Sequence, residues 1–543
     1  MVIGSNPVRY FAHKWRKKFE QRSSSDPHAR HSPAEQELVD GYLDIDRGAL
    51  RDFDLPDHVR SRRGEFFVRN SAAARNVESG ISVFGVLMGV FTLTMGGTVL
   101  WSLLPRKVPF ETNGVAVDLS RETRLRAEIE GLARALNEKM PEEVYLVPVA
   151  NAAVLERGKR RIMLLGLPIL QLLTVSEFRA ILAHEFGHYY AGDTRMGPWV
   201  YRARINMAQV ITRLGRDSVV LSFLSRWAVV ALLRLAILGG LSLWWKLFNR
   251  VTQYISRRQE YRCDELACLL GGSESFAKGL CSVNVAAATF APYWNQVIVP
   301  VAASGHRPQL ADGYGRFVKA PEIAKAASAI LEERLRTSAI DPMDSHPPLN
   351  ARVDRARALA MATAAEDGRP AIILLEDLPA LELQLLTKLM PGLNASELKP
   401  MQWDNAGAEV YVPLWRSEVA KLAPALSSAT VLGLPGVVAK LTEVAARIPD
   451  PAGVLLTREQ RAGRAADVIG QALTLALVDH GWKIHLQPGV FYLESENGAK
   501  MNARAIIEEM RSGTRTAESW LEYCGTHGIG DWPLAAELAR VES

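Results

Sequence analysis

Two histidines four positions apart with a glutamate beside the first, His184, Glu185 and His188 in the stretch ILAHEFGHYYAGD, are the residues best equipped for chemistry in this chain. On a helix, His184 and His188 lie one turn apart on one face. Both imidazoles then reach a single ion, and Glu185 stands beside them as a general base for a metal-activated water. The pattern calls for zinc, and two nitrogens are not enough to hold it. Further along, SRRQEYRCDELA (256–267) offers the missing ligand. Glu260 completes a His₂Glu set, and Asp264, one helical turn later on the same face, accepts the free N–H of a ligand histidine. By itself this second stretch reads as a solvated helix paired through Arg257 and Arg258. Beside the first motif, the zinc reading prevails.

The elements around these residues must place them. Thr174 with Glu177 in TVSE forms a capping box that starts the zinc helix, and Gly192 is its expected stop. Ahead of it, EVYLVPV (143–149) and KRRIMLLGL (159–167) are rich in β-branched and apolar residues and are expected as strands. SGHRPQLADGYGRF (304–317), rich in glycine, is expected as a loop. Cys263 is expected as a small buried side chain.

HEFGH, SRRQEYRCD and SHPPLNARVDRA (345–356), in that order and with VYLVPVANAAVL ahead of them, resemble the HtpX-type and CAAX-prenyl-protease-type group, metallopeptidase family forty-eight. The resemblance spans roughly residues 115–360. It implies an α+β, mainly helical fold: a membrane-anchored, gluzincin-like zinc peptidase domain with a small edge sheet, followed by a C-terminal α+β domain. It implies His184, His188 and Glu260 as ligands of one Zn²⁺ per chain, Glu185 as catalytic base and Asp264 as support. His346 falls where the family places a residue near the substrate carbonyl. Arg352 falls on the motif's arginine, either in the active site or in a helix-surface ion pair. Asn151 and Ala152 match the segment beside the substrate-binding edge strand, which is expected near 159–167. Cys263 departs from the family's alanine.

The 543 residues exceed one ordinary core, and a net charge of +5 from 64 basic and 59 acidic residues gives no case for nucleic acid. Four cysteines form no disulfide framework. Residues 1–38 are expected as a basic, solvated tail and 39–80 as a juxtamembrane segment. ISVFGVLMGVFTLTMGGTVLWSLL (81–104) carries no charge and is long enough for a transmembrane helix. Arginines before it give the expectation of a cytoplasmic N-terminus, with the chain anchored in a cell membrane and the side of the catalytic domain left open. Region 198–249, interrupted by Arg226 and Arg234, is expected as a membrane-associated helical hairpin within a peptidase domain of 105–360.

Residues 371–543 carry no catalytic motif. AIILLED is expected to start a strand, with helices near 378–390, 417–447, 500–512 and 516–523 and a hairpin at Pro488-Gly489. The expected function is hydrolysis of unfolded or membrane polypeptides at the lipid bilayer, in membrane protein quality control. The competing expectations are a processing protease with few substrates and a membrane-tethered chaperone or sensor.

Overall fold

The computed structural model describes residues 112–190 (158 and 159 excepted), 228–337, 346–362, 366–420, 428–447 and 456–534, with isolated positions between 85 and 100 and residues 203, 206, 207 and 426. Packing divides the chain into two units, one of 1–107, 134–137 and 196–254, the other of 108–133, 138–195 and 255–543. Every residue expected at the site belongs to the second.

Alternating apolar residues ahead of the helix that carries His184 and His188 make strands. β1 (Val115–Ala116), β2 (Glu143–Val147), β3 (Ala152–Arg157) and β4 (Arg160–Gly166) form a sheet in the order β1–β2–β4–β3. β2 and β4 run parallel with Val144 opposite Met163 and Leu146 opposite Leu165, all four buried. The expected edge strand is corrected here. Residues 160–166 lie inside the sheet, because AAVLER folds back antiparallel onto them and takes up their outer backbone groups, leaving β3 as the edge.

The helices follow: α1 (Thr123–Leu136), α2 (Leu167–Leu172), α3 (Val175–Tyr190), α4 (Ala228–Gly271), α5 (Ser273–Tyr293), α6 (Leu310–Lys319), α7 (Pro321–Arg336) and α8 (Leu349–Leu359). α5 packs against α3 and α8 through buried Phe276, Ala277 and Leu280. Each such side chain contributes about 1.5–3 kcal/mol when it is fully withdrawn from water.

The loop expected at 304–317 is a second correction. His306–Arg307 pairs with Lys399–Pro400, and α6 takes most of the rest. Its glycines serve close packing. A Cβ on Gly313 would come within 2.5 Å of Trp403 and the Tyr293 hydroxyl, so only glycine lets these large groups sit against the helix.

The expected transmembrane segment 81–104 is described only in part. Residues 85, 86, 89, 90, 92–94, 96, 97 and 100 are helical, and Val86, Val90, Leu93 and Leu100 are exposed. The tail 1–38 and segment 39–80 lie outside the described residues. Among the described residues no helix is long and apolar enough to cross a membrane. Of the expected hairpin, residues 228–249 form the first half of α4, a helix of 44 residues in all that runs on past Glu260 to Gly271. The other arm is described only at 203, 206 and 207, all helical, and the expected helix stop at Gly192 lies outside the described residues.

AIILLED does not begin a strand, a third correction. Ala371–Leu374 is a 3-10 turn, because the backbone around it is tied to the α2–α3 junction: Ala371 N donates to Leu173 O at 2.8 Å and Val175 N to Arg369 O at 2.8 Å. The buried Glu122 carboxylate accepts from the backbone N–H groups of Glu376 and Asp377. α9 (Leu378–Leu389) brings Glu382, whose Oε1 accepts from Ala311 N at 2.7 Å at the start of α6.

A separate core lies further on, with Val419, Leu473, Leu477 and Trp520 buried among α10 (Val412–Ala420), α11 (Arg458–Asp479), α12 (Ala503–Arg511) and α13 (Ala517–His527). A capping box of Thr457 and Gln460 starts α11. The hairpin expected at Pro488-Gly489 joins β5 (Lys483–Gln487) to β6 (Val490–Glu494), with Gly489 at φ +78° as the turn requires. The described chain is mainly helical with small sheets.

Candidate metal centre

Where α3 begins, the capping box is present: Thr174 N donates to Glu177 Oε2 at 3.0 Å and Glu177 N to Thr174 Oγ1 at 3.2 Å. The helix then carries His184, Glu185 and His188 beside the second half of α4. Two glycines bring these helices together. A Cβ on Gly187 would lie 3.0 Å from Cys263 Sγ, and one on Gly271 would lie 2.4 Å from Ala180 Cβ. Residue 187 thus faces 263 while 180 faces 271, so the helices run antiparallel, with His184 and Glu260 in the space between.

His184 Nε2 is 3.5 Å from Glu260 Oε2, and His188 Nε2 is 3.7 Å from Glu260 Oε1. One ligand atom from each of the three residues lies within 4.8 Å of the others. Ligand bonds near 2.1 Å in a tetrahedron set neighbouring ligands about 3.4 Å apart, so this donor set fits a zinc ion and two borderline-hard nitrogens with one carboxylate suit its chemistry. The two imidazoles meet edge to face, 5.0 Å between centroids.

Supporting contacts fix the ligands from behind. Asp264 Oδ1 lies 3.0 Å from His184 Nδ1. Arg352, on α8, grips the same carboxylate with Nε at 3.0 Å from Oδ2 and Nη2 at 2.6 Å from Oδ1. Its Nη2 is also 3.5 Å from Glu260 Oε2. Arg352 is therefore buried behind the ligands, not paired on a helix surface, although it also borders the cleft. Cys263 is buried as expected, with Sγ 3.6 Å from His188 Nδ1. His346 Nδ1 is 2.8 Å from Glu260 Oε2, and its side chain is 52% exposed, so the imidazole bridges ligand and cleft.

These groups set each other's protonation. Burial alone would lower His184, but hydrogen bonds to Asp264 and Glu260 outweigh it and raise the imidazole to about 9. Glu260 is held well below the carboxylate range: its burial is overcome by hydrogen bonds from His184 and His346. Asp264 is lowered too, Arg352 overcoming the effect of burial. Glu185 goes the other way, raised by burial and only partly offset by His184 and His188.

A cleft of about 400 Å³ opens at the centre. Asn151, Ala152, His184, Glu185, His346 and Arg352 all line it, so those residues expected to meet substrate converge on one space. Sequence reasoning missed the wall formed by Leu280, Val283 and Asn284 of α5 with Arg334 and Thr337. The i, i+3, i+4 spacing of the first three marks one helix face, but no motif flags it.

Residues 119–360 match the family model of peptidase family M48. Among solved structures, the crystal structure of S. mikatae Ste24p is similar at 13% identity with a TM-score of 0.27, over 52% of this chain and 64% of that one. The chain thus spans under two thirds of that protein. No curated protein matches.

Proposed function

Residues 119–360 belong to peptidase family M48, and from that premise we propose that the chain is a zinc-dependent endopeptidase cutting unfolded or membrane polypeptides in membrane protein quality control. The observation that carries the reading is the meeting of His184, His188 and Glu260 with one ligand atom of each within 4.8 Å of the others, and Glu185 beside them in the cleft. His184, His188 and Glu260 would hold one zinc ion, which when bound supplies Lewis acidity, acidifying water and polarising a peptide carbonyl.

The chain's own residues do the rest. Glu185 takes the proton of the attacking water and delivers it to the leaving nitrogen, a task its raised pKa suits. His346, half-exposed in the cleft, donates to the developing oxyanion. Asp264 and Arg352 hold His184 in orientation. An extended substrate adds to the β3 edge beside Asn151 and Ala152, so recognition runs largely through main-chain hydrogen bonds. That mode favours unfolded segments over one fixed sequence. The exposed apolar side chains Leu93, Leu100, Leu243, Leu247 and Val251 support contact with lipid.

The test is cleavage of casein by detergent-purified wild type and Glu185→Gln. Both are expected to bind one zinc per chain, with cleavage reduced by roughly 10²–10⁴ in the variant. Equal cleavage by the two proteins would remove Glu185 from the mechanism.

A further inference from the structure

The cleft wall away from the metal ligands carries a charge the mechanism does not use. α5 lines it with Leu280, Val283 and Asn284, and α3 adds Ile181, giving an apolar surface with one amide in it. Arg334 of α7 reaches this amide, Nη1 donating to Asn284 Oδ1 at 2.6 Å. Asn284 Nδ2 in turn donates to Leu280 O at 2.9 Å, so the amide is oriented by its own helix and fixes the guanidinium without neutralising it.

The contrast with nearby cations is informative. Arg336, two residues on, pairs with Glu333 at 2.9 Å, and Arg352, the other arginine lining the cleft, is taken up by Asp264 at 2.6 Å. Among the described residues Arg334 has no carboxylate partner, and the sole carboxylate lining the cleft is Glu185. A guanidinium has five N–H donors in a fixed fork, and Asn284 engages only one of its nitrogens.

We infer that Arg334, held by Asn284, is a specificity determinant that reads a carboxylate on the bound polypeptide. This rests on the peptidase reading above. The carboxylate is either an acidic side chain or the free C-terminus of the peptide. The flanking Leu280, Val283 and Ile181 would take an apolar neighbour, so main-chain pairing along β3 acquires a chemical preference that an edge strand alone cannot supply.

The experiment measures binding, so that it does not depend on turnover. Fluorescent peptides are titrated by anisotropy into zinc-loaded full-length Glu185→Gln, each carrying Glu or its isostere Gln at successive positions, with free or amidated C-termini. At one position, or at the C-terminus, the carboxylate form is expected to bind about tenfold tighter. That preference should shrink with added salt and fall to near one when Arg334→Gln is introduced, while Arg334→Lys keeps part of it. Position-specific preference identifies a side chain, and sensitivity only to amidation identifies the terminus. A preference unchanged by Arg334→Gln, or absent from the start, overturns the inference. Zinc content and thermal midpoint verify that each variant is folded. Failure of the zinc-loaded wild type to cut any peptide would instead defeat the peptidase reading, and the binding ratios would still decide the role of Arg334.

Discussion

Replacing Asp264 with Asn changes the charge behind the proposed metal ligands and almost nothing else in shape. The native carboxylate faces three donor atoms, His184 Nδ1 at 3.0 Å and Arg352 Nε and Nη2 at 3.0 and 2.6 Å. An amide has one acceptor oxygen, so at least one of these donors would face an N–H. Arg352, 8% exposed, would lose its main counter-charge. Breaking a buried pair from one side costs about 3–5 kcal/mol. The lower end is expected here, because Glu260 stands 3.5 Å from the same guanidinium and takes up part of its charge. Loss of the partner to His184 should weaken zinc by about 10–100-fold. Chelator competition gives the zinc affinity, and thermal midpoints of the metal-free protein give the stability. Arg352→Gln should be costly too, but the double variant should be less destabilised than the sum, by about 1.5 kcal/mol or more, since it leaves no orphaned cation. Zinc affinity within twofold of wild type in Asp264→Asn, or strictly additive costs, would refute the reasoning.

Two further predictions concern packing and pH. In Gly271→Ala the new methyl would meet Ala180 Cβ at 2.4 Å and Cα at 2.5 Å, forcing α3 and α4 apart at a cost of about 1–3 kcal/mol and weakening zinc; Gly525→Ala, with nothing within 4 Å, is the control and should lose neither. Glu382 is raised by burial to about 7 from 4.5. The folded state therefore keeps its proton where the unfolded chain releases it, so the stability this gives is full below about pH 4.5 and is lost as pH rises through about 7. Glu382→Gln should consequently raise the unfolding free energy at pH 8, by at most about 3 kcal/mol, and leave little difference at pH 5. A uniform effect at both pH values would contradict it.

What was legible in the sequence was what local spacing encodes. His184 and His188 share a face because a helix turns once in about four residues, and Glu260 and Asp264 do so for the same reason. The pairing of Arg352 with Asp264 spans 88 residues, and the motif's arginine alone did not tell its burial behind the ligands from a place on a helix surface. β3 was missed because AAVLER, followed by GKRR, has the charge of a turn, and it is a strand only because β4 offers an edge to cover. Gly313 and Gly315 suggested a mobile loop, since a sequence displays a glycine's freedom but not the Trp403 or Gln171 side chain packed against it. AIILLED has strand composition, yet Ala371 N donates to Leu173 O, and Arg369 O just ahead accepts from Val175 N, so the chain turns there in a 3-10 turn. In each case a partner distant in sequence overrode the local preference.

The family match ends at residue 360, but the fold does not respect that boundary. Glu122 is satisfied by backbone at 376 and 377, the α2–α3 junction by residues 369 and 371, the start of α6 by Glu382, and the notch at Gly313 by Trp403. A chain stopped at the edge of homology would expose that notch and leave a buried acid and several amides facing solvent or nothing. The stretch that follows is thus a keystone of the family-matched region, and any dissection or transplant of it has to cut beyond residue 403.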